Sequence, residues 1–239
     1  MGESELYLKR RGYSPCLSVG GSALGSANCR QSVGCLKSLS RWVELRFDLM
    51  QGGADYCEAT VRNVVKDFSH FSHRIAVCHR QKGGLGADVR RNVIGQAVAA
   101  GCDAVDIDWF EERDYPPAFH AEMARRGVKR IRSLHPSSPL ASPQALRNLI
   151  VRMRRGNPFL VKVVMPCRSL AQAHLVLSCY DGREDLLLIA SGLKGRASRV
   201  KATLCGAPFS YVHLGTPTGS GQLSWKQYRR AFRYWGDGD

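Results

Sequence analysis

Phe159-Leu160-Val161-Lys162-Val163-Val164-Met165-Pro166 reads as a buried parallel strand, an apolar run closed by a proline, with one cation in its middle. Burying a protonated amine among apolar side chains is costly, and the usual relief is a depressed pKa. A lysine held down at about 7–8 is a competent nucleophile toward a ketone or aldehyde, with which it forms an iminium. A lysine at a sheet edge, its stem packed and its head reaching water, would carry the same local sequence. Only the neighbouring strands separate the two readings.

Outward from this stretch, short apolar strands alternate with helix-period segments. The pattern predicts strands at Cys16–Val19, Trp42–Asp48, Arg74–His79, Ala104–Asp108, Lys129–Leu134, Phe159–Met165, Leu186–Ala190 and Phe209–His213. Between them it predicts helices near Ser22–Ser38, Tyr56–Phe68, Asp88–Ala100, Pro116–Arg126, Pro143–Arg154, Ser169–Ser178, Arg196–Leu204 and Trp225–Tyr234. Eight strand-plus-helix units in 239 residues are the count of a (β/α)8 TIM barrel. The competing doubly wound sheet lacks its signature, because Gly20-Gly21-Ser22 after the first strand is a turn and not a G-x-G-x-x-G loop. Neither a linker nor a low-complexity block divides residues 1–239, which read as one domain.

Val43-Glu44-Leu45-Arg46-Phe47-Asp48 alternates apolar and charged residues, so Val43, Leu45 and Phe47 share one face and Glu44, Arg46 and Asp48 the other. In a parallel barrel helices cover the outer face, which sends the three charges inward. An antiparallel sheet with one wet face would alternate likewise, but the repeated βα order argues against it. The fourth strand repeats the device with Asp106 and Asp108 inward. Inward charges near the C-terminal ends of several strands are how this architecture builds a polar site.

Other chemistry-bearing residues fall at strand ends. Arg80 closes the third strand before Gly83-Gly84, His135 follows the fifth, and Ser198-Arg199 opens the helix after the seventh behind Gly192-Leu193-Lys194-Gly195. Thr216-Pro217-Thr218-Gly219-Ser220-Gly221-Gln222 follows the eighth and reads as a mobile lid with polar tips. A lone histidine or arginine at such a place is more often structural. It is their joint placement that points to a site.

Hydrophobic residues make up 44% of the chain and charged ones 23%, an ordinary globular composition. Thirty-five Lys+Arg against twenty Asp+Glu leave a formal charge of +15, compatible with nucleic acid, an anionic membrane surface or an acidic small molecule. The basic residues are scattered, as in Lys9-Arg10-Arg11, Arg90-Arg91, Arg125-Arg126, Arg154-Arg155 and Arg229-Arg230, without interleaved aromatic rings, so they read as a solvated surface and not as a nucleic-acid site. Nine cysteines without a CxxC pair offer no metal-ligand spacing and suit a reducing cytoplasm. No window approaches the apolar length of a membrane span, and no secretory h-region precedes Val33.

With these residues in place the chain resembles the type I 3-dehydroquinate dehydratases over nearly its whole length. The resemblance is carried by Val43-Glu44-Leu45-Arg46-Phe47-Asp48, Ser133-Leu134-His135, Val161-Lys162-Val163-Val164-Met165-Pro166, Gly195-Arg196-Ala197-Ser198-Arg199 and Gly221-Gln222. The 27 residues from His135 to Lys162, and the 19 and then 4 from Arg199 through Thr218 to Gln222, are spaced as in that family. The resemblance implies a cofactor-free, metal-free lyase in which Lys162 condenses with the ring ketone of 3-dehydroquinate and His135 serves as general base and then general acid, releasing 3-dehydroshikimate for aromatic amino acid biosynthesis. Arg199 and Arg80 would hold the substrate carboxylate, Glu44 and Arg46 the ring hydroxyls and the surroundings of the base, and Thr218 (in place of the family's usual Ser) and Gln222 would close over the substrate. A homodimer in the cytoplasm, with a small-molecule substrate and neither nucleic acid nor membrane as partner, belongs to the same expectation.

The chain departs from the family pattern at two places. Lys82 stands where an acid usually precedes the glycine pair, in a loop two residues shorter, and Pro136 replaces the Asp after the histidine. An altered pH profile is the expected consequence. Two readings of other kinds stay open on sequence alone: a different lysine-iminium barrel of the class I aldolase type, and a basic, catalytically weakened binding protein. Arg132 falls on the face opposite His135 with no partner legible.

Overall fold

The structure is a computed structural model that describes residues 13–21, 24, 40–50, 56–80 and 84–236. Apart from Leu24, the helix expected near Ser22–Ser38 lies outside the described residues, as do Lys82 and Gly83. Nine strands occur among those described: β1 (Pro15–Gly20), β2 (Trp42–Arg46), β3 (His73–Val77), β4 (Ala104–Asp108), β5 (Lys129–Leu134), β6 (Leu160–Pro166), β7 (Leu186–Ser191), β8 (Ser210–His213) and β9 (Leu223–Ser224). Seven helices alternate with them: α1 (Glu58–Asp67), α2 (Ala87–Ala99), α3 (Pro117–Arg125), α4 (Pro143–Met153), α5 (Leu170–Leu177), α6 (Arg196–Leu204) and α7 (Trp225–Gly236). The alternation read from the sequence is therefore present through the described chain, and β9 is an addition that two residues are too few to announce.

The chain groups into two compact units, Ser18–Ile131 and Met1–Leu17 with Arg132–Asp239. In the first, hydrogen-bonded strands follow the order β1-β2-β3-β4-β5; in the second the orders are β5-β6-β7 and β1-β8-β9. The pairings are parallel, with Glu44 beside Ile75 in β2–β3, Lys162 beside Leu187 in β6–β7, and Cys16 beside Tyr211 in β1–β8. Parallel strands covered on both faces bury every residue, and β2 and β4 do so with their charges included. The expected strand Trp42–Asp48 ends earlier, at Arg46, because Phe47–Leu49 tighten into a 3-10 turn. That turn sets the Asp48 carboxylate against Arg46.

Local chemistry accounts for the helix starts. Ser142 and Ser169 each accept a backbone N–H three residues on, from Ala145 and Gln172 at 3.2 Å, and so cap α4 and α5. Pro143 takes the first position of α4, where its missing N–H is no loss. Arg132 of β5 faces α4, as alternation required, and its partner is the helix end itself. Its guanidinium donates to the carbonyls of Met153, at 2.5 Å, and of Arg155, placing a cation where the helix dipole is negative and carbonyls lack intrahelical partners.

Candidate active site

Lys162 sits at the third position of β6, which lies between β5 and β7, and is only 5% exposed among buried Leu160, Val161 and Val163. The edge-lysine alternative fails on that placement. The Nζ atom lies 4.9 Å from the centroid of the Tyr211 ring, a contact whose aromatic face meets the amine from β8. His135 comes one residue after the end of β5, half-buried, at the C-terminal end of the strand that neighbours β6.

Arg199, in the first turns of α6, is 4% exposed and donates from Nη2 to the Ser220 carbonyl at 2.8 Å. The same carbonyl accepts the Gly192 N–H at 3.2 Å, so one oxygen joins the loop after β7 to the loop after β8. The approach depends on glycine. Gly221 has φ +71°, and a Cβ there would lie 2.2 Å from the Gly192 carbonyl oxygen. Gly195 is needed for closeness alone, since its Cβ would fall 2.0 Å from the Ala190 oxygen. Beyond it the Ser198 hydroxyl donates to the Gly195 carbonyl at 2.7 Å.

Thr218 and Gln222 are both buried, while Thr216, Pro217 and Ser220 of the same loop are exposed. Gln222 Oε1 accepts from the Thr218 backbone N–H at 2.7 Å and from its hydroxyl at 3.1 Å. Because a backbone N–H must meet an oxygen, this pairing orients the amide and leaves its NH2 end as donor. β9 begins at the next residue and pairs with β8 through Val212 and Leu223, anchoring the segment from its far side. Local hydrogen bonding, invisible in a Gly-, Ser- and Thr-rich string, ties Gln222 to Thr218.

In the unit Ser18–Ile131, Glu44 is 3% exposed and accepts a hydrogen bond from the Ser18 hydroxyl. Arg46 is gripped side-on by Asp48, Nε to Oδ1 at 2.9 Å and Nη2 to Oδ2 at 2.5 Å. Burial works against the guanidinium, but the bond to Asp48 and the charges of Glu44, Asp48 and Asp106 outweigh it and hold its pKa above the ordinary value. Arg80 lies in a turn beyond the end of β3 and is exposed. Its Nε is 3.4 Å from Asp108 Oδ2, and its guanidinium carbon is 5.5 Å from the centre of the Phe110 ring. Burial pushes the Asp108 carboxyl up, with the Phe110 N–H and Arg80 pulling it back. Asp106 and Asp108 are both buried.

Sequence reasoning missed Ser18, Tyr211 and Ser220. Ser18 and Tyr211 could have been found by extending the inward-facing rule from charges to neutral polar side chains on the first and eighth strands. Ser220 acts through its carbonyl, for which no residue type is a signal.

Parallel βα units, a lysine buried in mid-strand and, in the same unit, a buried arginine, threonine and glutamine in the segments that follow the seventh and eighth strands mark an enzyme on a (β/α)8-barrel fold. The chain belongs to the type I 3-dehydroquinase family, whose sequence profile matches residues 16–239. The 3-dehydroquinate dehydratase of Thermococcus onnurineus is 34% identical over 93 residues, which are 39% of this chain and 43% of that protein. The 3-dehydroquinate dehydratase of Methanothermobacter thermautotrophicus is 28% identical over 185 residues, 76% of this chain and 79% of that protein. The crystal structure of 3-dehydroquinate dehydratase from Geobacillus kaustophilus superposes with a TM-score of 0.78 at 16% identity, covering 94% of this chain and 91% of that one, and shows the shared fold. Among the described residues, no helix is long and apolar enough to cross a membrane.

Proposed function

We propose that the chain dehydrates 3-dehydroquinate to 3-dehydroshikimate through an iminium on Lys162. The observation that carries this reading is the burial of one lysine at the centre of β6 in a chain of this family. The unprotonated Nζ adds to the ring ketone, and loss of water leaves the iminium. His135 removes a proton from the adjacent carbon, and the iminium nitrogen takes up the electron pair as an enamine. The same imidazole, now protonated, donates to the departing hydroxyl. Water then hydrolyses the product iminium and frees the lysine.

Binding falls to the other strand-end residues. Arg199 and Arg80 hold the substrate carboxylate, for which a planar fork is better shaped than an ammonium. The single Nε contact of Arg80 with Asp108 is compatible with that role, because both Nη groups stay on the outer end of the fork. Glu44 and Arg46, each fixed by a neighbour, order the ring hydroxyls, and the donor end of Gln222 closes over the substrate with Thr218 behind it. The reaction as written takes no cofactor, and the expected dimer is tested by gel filtration.

Borohydride reduction in the presence of 3-dehydroquinate, followed by peptide mass mapping, is the test. A stable adduct on the peptide carrying Lys162, absent from Lys162→Met, together with rising ultraviolet absorbance of the conjugated product, is the expected result. Adducts formed only with sugar phosphates, or no adduct and no absorbance change, would overturn the assignment.

A further inference from the structure

Helix α7, Trp225–Gly236, contains four cations and no acid. Lys226, Arg229, Arg230 and Arg233 stand at i, i+3, i+4 and i+7, which puts them on one face within two turns. Elsewhere the exposed arginines are commonly neutralised: Arg62 pairs with Glu58, Arg91 with Asp88, Arg125 and Arg126 with Glu122, and Arg183 with Asp185. No carboxylate among the described residues pairs with the four cations of α7. The Arg229 guanidinium lies instead 5.4 Å from the centre of the Trp225 ring. Arg196 adds positive charge beside the patch, bonded to Gln227 Oε1 at 3.1 Å. Together Trp225, Lys226, Arg229, Arg230 and Arg233 line a concavity of about 340 Å³.

The opposite face of α7 is already occupied. Tyr228 and Phe232 are fully buried against Tyr13, with ring centroids 5.4 and 5.3 Å away, and the Tyr228 hydroxyl meets Thr203 Oγ1 at 3.0 Å. Tyr228 and Phe232 are thus spent on the core and are not available to sink into a bilayer, which argues against an anionic membrane as the partner. Three arginines of four suit an oxyanion partner, because the guanidinium fork matches carboxylate and phosphate oxygens bidentately and is weakly hydrated, and the choice between the two falls to the neighbouring ring. An aromatic ring beside the cations adds a surface on which a base can stack. Lys226 and Arg233 are separated by seven residues, a rise of about 10 Å along the helix, and the long side chains of the four cations extend that reach to about four phosphates of one strand.

We infer that the exposed face of α7 is a docking surface for single-stranded nucleic acid, separate from the lysine site and independent of its chemistry. This departs from the expectation of a merely solvated basic surface. That expectation rested on scattered charges without aromatic neighbours, whereas α7 collects four of them around a tryptophan.

The test is fluorescence-anisotropy binding of a labelled 20-nucleotide single strand to the full chain over a salt series. Four phosphate contacts predict a log–log salt slope of about −3. Arg229→Ala/Arg230→Ala should weaken binding at least tenfold and flatten the slope by about 1.4, while the rate of 3-dehydroquinate dehydration stays within twofold of the parent. Polyglutamate of equal charge should fail to displace the strand. Should the double variant not fold, as judged by circular dichroism, Lys226→Gln/Arg233→Gln carries the same expectation. Absence of salt-dependent binding, equal binding by the folded variant, or equal displacement by polyglutamate overturns the inference, the last pointing to an acidic protein partner. Loss of dehydration in the parent chain would sink the catalytic reading without touching this one.

Discussion

Replacing Gly221 by alanine perturbs the contact that joins the loops after β7 and β8. A Cβ there would stand 2.2 Å from the Gly192 oxygen, against 3.4 Å where ordinary contact begins, so the two backbones must part by 3.4 − 2.2 = 1.2 Å. The positive φ adds about 1–2 kcal/mol of strain for any residue with a Cβ. Parting the loops stretches the 3.2 Å bond from Gly192 N to the Ser220 carbonyl beyond use and removes the Arg199 bond to the same oxygen. A charge-assisted bond of that kind is worth about 1.5–3 kcal/mol. The sum is a loss of about 4 kcal/mol in unfolding free energy, read from urea denaturation followed by tryptophan fluorescence. Displacing Arg199 and Gln222 by about 1 Å should also lower kcat/KM for 3-dehydroquinate by about a hundredfold, measured by product absorbance. Gly219→Ala is the internal control, because nothing lies within 4 Å of a Cβ there and its φ is not positive. Its stability should stay within about 0.5 kcal/mol of the parent. If the two variants behaved alike in both assays, the packing argument for this segment would be wrong.

Three further outcomes are expected. Arg132→Met should destabilise the fold by about 3 kcal/mol in urea unfolding, because it strips the C-terminal carbonyls of α4 of a buried charged donor, yet leave the iminium adduct on Lys162 intact. Cys78 and Cys102 have thiols pushed up to about 12, chiefly by burial, so at pH 8 only about one part in ten thousand is thiolate; peptide mapping after a thiol-specific reagent should find both unmodified in native protein and modified in urea. Asp181 is held below its usual carboxylate range by its hydrogen bond from Arg154, so the pair stabilises the fold above about pH 4 and stops doing so as pH falls through the lowered native pKa. Arg154→Ala, which removes the bonds to both Asp181 and Asp185, should accordingly lose about 1 kcal/mol at pH 7 and progressively less as pH falls through the lowered native pKa, by thermal denaturation.

How far the sequence reached depended on whether a residue's role is written in its own side chain and spacing. The continuous apolar run around Lys162, closed by Pro166, read as a strand, and it lies at Leu160–Pro166 as β6; that the lysine is covered and not at an edge took the neighbouring strands to decide. The alternation from Val43 to Asp48 announced buried charges, and Glu44, Arg46 and Asp48 are all buried. Strand boundaries slipped where a side chain competed with the ladder, as Asp48 did by turning onto Arg46.

The order of elements and the shared face of Glu44, Arg46 and Asp48 were determined by local pattern alone, because residue period and hydropathy act between near neighbours in the chain. Only the tertiary structure decided that Tyr211 meets Lys162 from 49 residues away, that Ser18 holds Glu44, and that a carbonyl at Ser220 receives both Arg199 and Gly192. Such partners are chosen by the register of distant strands and by backbone atoms common to every residue. A linear string carries no mark of either until the chain has closed on itself.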